Sequence, residues 1–293
     1  KFPSSLIRLV STNNQIGAAM RYQDTVPPDE ISSELMPVVK DMGLVDNCRQ
    51  LASEGYTIIE NAASPEFVAR LRNTILDTVP TDEAGNGSEL VVLGKDPVYA
   101  EALLNPKVLA VADFSVGRGN LIGSLIPTIR SNGDSALDLH ADQAMFPEPL
   151  PAHNMMFTAC WVTDEFTLEG GATRIVPGTN RHLRHPTEEE IADNSGAIAT
   201  ECPAGSVVVW DGRVWHGNYA RTLDGQRVVL HATYYRLIMR PTNDYSDIAD
   251  ELIETHGKRM SILLGREDYM YKKGPGYLHD NDIFVTTMNN ARS

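Results

Sequence analysis

Three kinds of hydrophobic pattern follow one another along the chain. After a polar loop at residues 24–32, a helix is expected to include Glu34 to Lys40, and the pattern in EGYTIIENAA predicts a short strand over Tyr56–Glu60. Ser64-Pro65-Glu66 reads as a helix start, with an N-cap hydroxyl, a proline in the first turn and an acid near the positive end of the helix dipole. Phe67, Leu71, Ile75 and Val79 then recur at helical spacing, so this helix presents an apolar face to a core. A loop containing GNGS (85–88) leads to a second helical pattern over 97–112, interrupted at Asn105-Pro106.

From Leu121 the period changes. LIGSLIPTI, NMMFTACWVT, GATRIVPG, GSVVVWDG and RVVLHATYYRLIM are short apolar or alternating runs divided by turn residues. Runs so short and closely spaced predict an antiparallel sandwich or barrel rather than the strand–helix alternation of a parallel sheet. After residue 241 the pattern returns to helix-like and irregular. A single domain over 1–293 is expected, mainly β with flanking helices: an extension (1–45), a mostly helical support (46–120), a β core (121–240) and a tail (241–293).

Composition narrows the class. A chain of 293 residues at 42% hydrophobic buries one sizeable core, and 22% charged with 7% aromatic is ordinary for a globular protein. No run approaches the roughly 18–20 apolar residues of a membrane helix. A net charge of −14 argues against a nucleic-acid-binding surface. The apolar stretch from Leu6 to Val10, broken by Arg8, is too short for a secretory signal, and Cys48, Cys160 and Cys202 form neither a disulfide framework nor a CxxC zinc site. A cytoplasmic protein acting on a small molecule, with no nucleic-acid or membrane partner, is expected.

Two histidines and one aspartate carry the chemistry. On a strand, His140 and Asp142 would share a face, and His216, 74 residues after Asp142, would arrive from a later strand. Two imidazoles and one carboxylate form the facial triad of non-haem iron(II) oxygenases, which leaves one face of the metal open. The same donors suit zinc, so a zinc-dependent hydrolase or lyase on a cupin-like barrel is the alternative, and a barrel that binds a ligand without catalysis is a third reading. Arg227, 11 residues after His216, heads a strand on which Arg227, Val229, His231 and Thr233 share a face. A guanidinium facing inward needs an anion, and its planar fork suits a carboxylate. Met145, Phe146 and Phe157 are candidates to line an apolar substrate pocket.

The stretches GYTIIENAASPEFVARLR, LHAD, ACWVTDEFTLEGGATRIVPGTNRH and PAGSVVVWDGRVWHGN, followed by Arg227, resemble in order and spacing the phytanoyl-CoA dioxygenase family of Fe(II)/2-oxoglutarate oxygenases, over roughly residues 50–240. The resemblance implies a double-stranded β-helix, a cupin-like jelly-roll barrel. It implies iron(II) on His140, Asp142 and His216 as the catalytic centre, with Arg227 holding the distal carboxylate of 2-oxoglutarate and Trp161 lining the cosubstrate site. It implies as well that O2 and 2-oxoglutarate are consumed, succinate and CO2 released, and a C–H bond of a small organic molecule oxidised, by hydroxylation, desaturation or a related step. Related halogenases replace the carboxylate ligand by a small residue, and Asp142 argues against that outcome.

Overall fold

A computed structural model describes residues 26–193, 196–268, 270 and 281–292. Two antiparallel sheets face each other. The larger has the strand order β1 (Tyr56–Ile59), β8 (Val207–Asp211), β5 (Met156–Val162), β10 (Gln226–Tyr235), β3 (Leu121–Ser131) and β2 (Gly87–Ser88). The smaller has the order β4 (Leu137–His140), β9 (Trp215–Asn218), β6 (Thr173–Val176) and β7 (Ile198–Ala199). Among the described residues the two sheets remain separate hydrogen-bonded units, so this jelly roll is a sandwich with an open mouth, not a closed barrel. No described helix is long and apolar enough to cross a membrane.

Most of the helices cover the outer face of the larger sheet, while a short one at Glu188–Asp193 lies against β4 of the smaller sheet. The helix after β1 (α3, Pro65–Thr78) starts where its sequence says it should: the Ser64 hydroxyl accepts a hydrogen bond from the Phe67 amide at 3.3 Å, with Pro65 opening the first turn. Its Leu71 and Ile75 are fully buried. The interrupted pattern over 97–112 resolves into two helices, α4 (Pro97–Leu103) and α5 (Pro106–Val116), and the second is capped by the Asn105 side chain, which accepts from the Lys107 and Val108 amides. Two short helices precede β1, α1 (Met36–Asp41) and α2 (Val45–Glu54), the second of which the hydrophobic pattern did not single out. The remaining helices are α6 (Glu188–Asp193), α7 (Ala249–His256), α8 (Lys258–Leu263) and α9 (Asn281–Arg292). The main hydrophobic core lies between the helical layer and the larger sheet, whose outward face supplies Leu125, Ile129, Phe157, Ala159, Trp161, Val207, Val209, Val228, Leu230 and Tyr234. The opposite face of the same strands looks into the space between the sheets, where the candidate site lies.

Candidate functional site

The register of the strands builds the site. On β10, Arg227, His231, Thr233 and Tyr235 line a cavity of about 300 Å³, as do Ser124, Ile126, Thr128 and Arg130 of β3, Met156 and Thr158 of β5 and Trp210 of β8. The smaller sheet closes the other side with His140, His216, Gly217 and Asn218. His140 and His216 are direct cross-strand partners on β4 and β9, which sets their ring centroids 4.4 Å apart.

Asp142 joins them by a route the pattern did not anticipate. β4 ends at His140, and Asp142 lies in the following turn, so the shared-face argument for this pair does not hold. The turn is tied down instead by the next residue, whose amide (Gln143) donates to the Gly212 carbonyl at 3.0 Å. The result brings the carboxylate to the imidazoles, with Asp142 Oδ1 at 3.7 Å from His140 Nε2 and 3.4 Å from His216 Nε2. One ligand atom from each of the three lies within 4.8 Å of the others.

Hydrogen bonding prepares these groups for a cation. His140 Nδ1 lies 2.9 Å from the Asp138 carbonyl and His216 Nδ1 lies 3.1 Å from the Val214 carbonyl. A carbonyl only accepts, so each Nδ1 carries the proton and each Nε2 lone pair is left facing the partners. Burial pushes the Asp142 carboxyl up, but the neighbouring imidazoles and the Trp210 indole N–H outweigh it and hold the group well below the usual carboxylate range. Burial, and then the neighbouring His216, lowers the pKa of His140. In His216 burial opposes the charge, yet the Asp142 carboxylate beside it raises the pKa. Two imidazoles that would offer Nε2 once a metal displaces any proton there, and a carboxylate that stays ionised, are a donor set suited to iron(II).

Arg227 sits at the far end of the cavity, 6% exposed. Its Nη1 donates to the Gly171 carbonyl, its guanidinium carbon lies 5.6 Å from the Phe166 ring centroid, and its buried Nε finds no partner among the described residues. Burial pulls its pKa below the ordinary value. An incompletely satisfied buried guanidinium at a cavity wall is the electrostatic complement of a carboxylate. Arg130, its cross-strand partner, is occupied at 3.5 Å by Asp134.

Four sequence expectations are corrected. Trp161 faces the helical layer, not the cavity: it is 1% exposed, and its ring packs 5.3 Å from that of Phe67. Phe157 shares that face, fully buried against Tyr234 at 5.8 Å. The inward positions of β5 are the even-numbered ones, Met156, Thr158 and Cys160. Met145 projects from the turn after Asp142 at 70% exposure, outside the cavity lining. Phe146 packs beside Met156 and Tyr235, behind the cavity wall rather than in it. Conversely, Trp210 and Thr158 contact Asp142 and were not singled out, because an inward Trp or Thr on an apolar strand carries no mark of its hydrogen-bond partner.

Comparison with known proteins identifies the lineage. The family described as Phytanoyl-CoA dioxygenase (PhyH) matches residues 51–229. The chain belongs to the phytanoyl-CoA dioxygenase family. It is thus an oxidoreductase of the iron(II)/2-oxoglutarate-dependent dioxygenase class, with iron and 2-oxoglutarate as cofactor and cosubstrate. Among curated relatives, the dioxygenase af480 of Aspergillus fumigatus is 32% identical over 176 residues, which cover 58% of this chain and 55% of that protein. The match thus spans about half the length of that relative. The dioxygenase ALT11 of Alternaria alternata is 24% identical over 272 residues, covering 83% of this chain and 89% of that protein. Among solved structures, EctD from S. alaskensis in its apoform superposes with a TM-score of 0.58 at 19% identity, over 76% of this chain and 89% of that one. The epimerase SnoN, in complex with Fe3+, alpha ketoglutarate and nogalamycin RO, superposes at 0.56 with 16% identity, over 69% and 88%. These structural likenesses show the fold, a jelly roll.

Proposed function

We propose that this dioxygenase oxidises a C–H bond of a small organic molecule, by hydroxylation, desaturation or a related step, with release of succinate and CO2. The observation that carries the reading is the convergence of His140, Asp142 and His216 on one point in a cavity whose other end is a buried, underpartnered Arg227. The three side chains would hold the iron, and Arg227 would hold the distal carboxylate of 2-oxoglutarate. When bound, the pair supplies oxidative decarboxylation coupled to activation of O2.

The chain's own residues do the rest. The protonated Nδ1 atoms fix both imidazole orientations, and Asp142 supplies the negative charge. Arg227 would orient the cosubstrate, because its planar fork can pair with a carboxylate in a way that a single point charge cannot. Ile126, Met156 and Trp210 in the cavity wall displace water and so strengthen the polar contacts within. With the metal bound, Asp142 would occupy the ligand position that a halide would need, so the product formed in chloride buffer should carry no chlorine. SnoN is bound to nogalamycin RO and the similarly folded HygX from Streptomyces hygroscopicus to hygromycin B, two unlike ligands that support a small-molecule substrate without choosing one.

The test is succinate release. Purified protein given iron(II), 2-oxoglutarate and O2 should form succinate, and a substrate found by panel screening should raise the rate and gain mass consistent with oxidation. Succinate at the level of a His216→Ala control would overturn the proposal.

A further inference from the structure

The two oxygens of Asp142 are not equivalent. Oδ1 faces the imidazole Nε2 atoms, whereas Oδ2 accepts the Trp210 indole N–H at 2.9 Å and the Thr158 hydroxyl at 3.3 Å. Both donors stand on one rung of the larger sheet, where Trp210 and Thr158 are cross-strand partners. The Thr158 hydroxyl is shared, lying 3.3 Å from that of Thr233, so the indole is the shorter and undivided contact. The indole itself is held firmly. Trp210 is 4% exposed, its ring 4.9 Å from that of His216 and nearly edge-on to His231 at 5.9 Å.

This matters because Asp142 lies in a turn. No strand ladder fixes its side chain, so the direction in which its carboxylate points is set by what its oxygens bind. We infer that Trp210 is a positioning residue: its indole N–H ties up Asp142 Oδ2 and so commits the aspartate to offering a metal one oxygen rather than two. The inference rests on the reading of His140, Asp142 and His216 as metal ligands. Its consequence is arithmetic, since three single-atom ligands leave three of six positions free, whereas a two-oxygen carboxylate would take one of them. A phenylalanine would fill nearly the same volume but could not make the contact.

Trp210→Phe keeps the ring and removes the N–H. Titrated with cobalt(II) in the absence of cosubstrate, this variant should bind the metal about tenfold or more weakly than the wild type, the range typical for loss of a hydrogen bond to a ligand. The cobalt visible bands should also change in position and intensity as the freed oxygen takes the place of a solvent ligand and alters the geometry around the metal. A wild-type dissociation constant together with a wild-type spectrum would overturn the inference. His216→Ala run in parallel separates the two levels. If that variant still binds cobalt(II) as the wild type does, the metal site itself is misassigned and both readings fall. If it loses cobalt while Trp210→Phe is unchanged in both readouts, only the role of Trp210 falls. Should Trp210→Phe not fold, the wild-type protein decides: its Trp210 indole N–H resonance, assigned with Trp161→Phe and Trp215→Phe, should shift on addition of zinc(II). A resonance that stays in place would overturn the inference.

Discussion

The two sheets divide the work of the site. The smaller sheet is short-stranded and in places open to solvent, with Leu137 and Ile198 exposed, yet two of the three candidate ligands, His140 and His216, sit on it as neighbours. The larger sheet, backed throughout by the helical core, supplies no candidate ligand. It supplies the residues that act on the ligands and the cosubstrate: Trp210 and Thr158 against Asp142, and Arg227 at the far end. The difference teaches that ligation needs only three donors at a rim, whereas holding a buried cation and aligning a carboxylate needs a rigid, fully packed wall. The largest effect should come from the thinner sheet. His140→Ala should take metal binding from one ion per chain to none and abolish succinate formation, with little change in thermal stability, because the His140 side chain is 41% exposed. Elemental analysis after anaerobic loading, alongside a melting curve, checks it, and metal retained in full would break the division.

The second comparison runs between the two faces of the larger sheet. Trp161, on the helix side, should matter to stability and not to cosubstrate. Trp161→Ala should cost about 3–5 kcal/mol in urea denaturation, as for other buried tryptophans, and leave the 2-oxoglutarate dissociation constant unchanged under folding conditions. A weakened cosubstrate affinity without the stability loss would place Trp161 functionally on the wrong side of the sheet.

These faces show where the sequence is legible and where it is not. On β10 the inward face is marked by Arg227, His231 and Thr233 and the outward face by Val228, Leu230 and Ala232, so parity can be read directly. On β5 every residue is buried, and MFTACWV offers no such mark. A strand covered on both faces reads as a continuous apolar run, so nothing in the sequence marks Trp161 and Phe157 as members of the helical core rather than of the cavity wall. The capped helices α3 and α5 were legible because Ser64-Pro65 and Asn105-Pro106 are local signals. Helix α2 buries only Cys48 and Leu51, too few positions for its face to stand out. His140, Asp142 and His216 do converge, but a turn brings Asp142 in, and strand alternation in the sequence does not foretell that route.

Arg227 sharpens the role of the thick wall. Arg227→Lys keeps a charge at the position and loses the planar fork. Its 2-oxoglutarate dissociation constant should rise tenfold or more, in line with about 1.5–3 kcal/mol for a charge-assisted hydrogen bond. The variant should still bind cobalt(II) as the wild type does, since the groups that converge on the metal point are His140, Asp142 and His216. Wild-type cosubstrate affinity, measured by calorimetric titration, would move the anchor elsewhere.

The smallest expected effect concerns His231, which lies on the wall between Arg227 and the triad. Burial first, and then the Arg227 charge, push its pKa down from 6.5 to about 4, against a smaller opposing pull from Asp142. Between those values the unfolded chain takes up a proton at this residue and the folded chain does not. Acid therefore favours unfolding: the contribution is complete above about pH 6.5, is lost as the pH falls toward 4, and does not change further below. Over the single unit from pH 6.5 to 5.5 the loss should be about 1 kcal/mol. The metal-free wild type should thus lose more stability over that interval than His231→Gln, which cannot take up the proton, while Asp142, His140 and His216 titrate in both. Urea denaturation of the two proteins at pH 6.5 and 5.5 makes the comparison. Equal losses would mean that His231 meets water or a counter-charge in the folded protein, and that the wall at this point is less dry than its neighbours Ile126 and Trp210 imply.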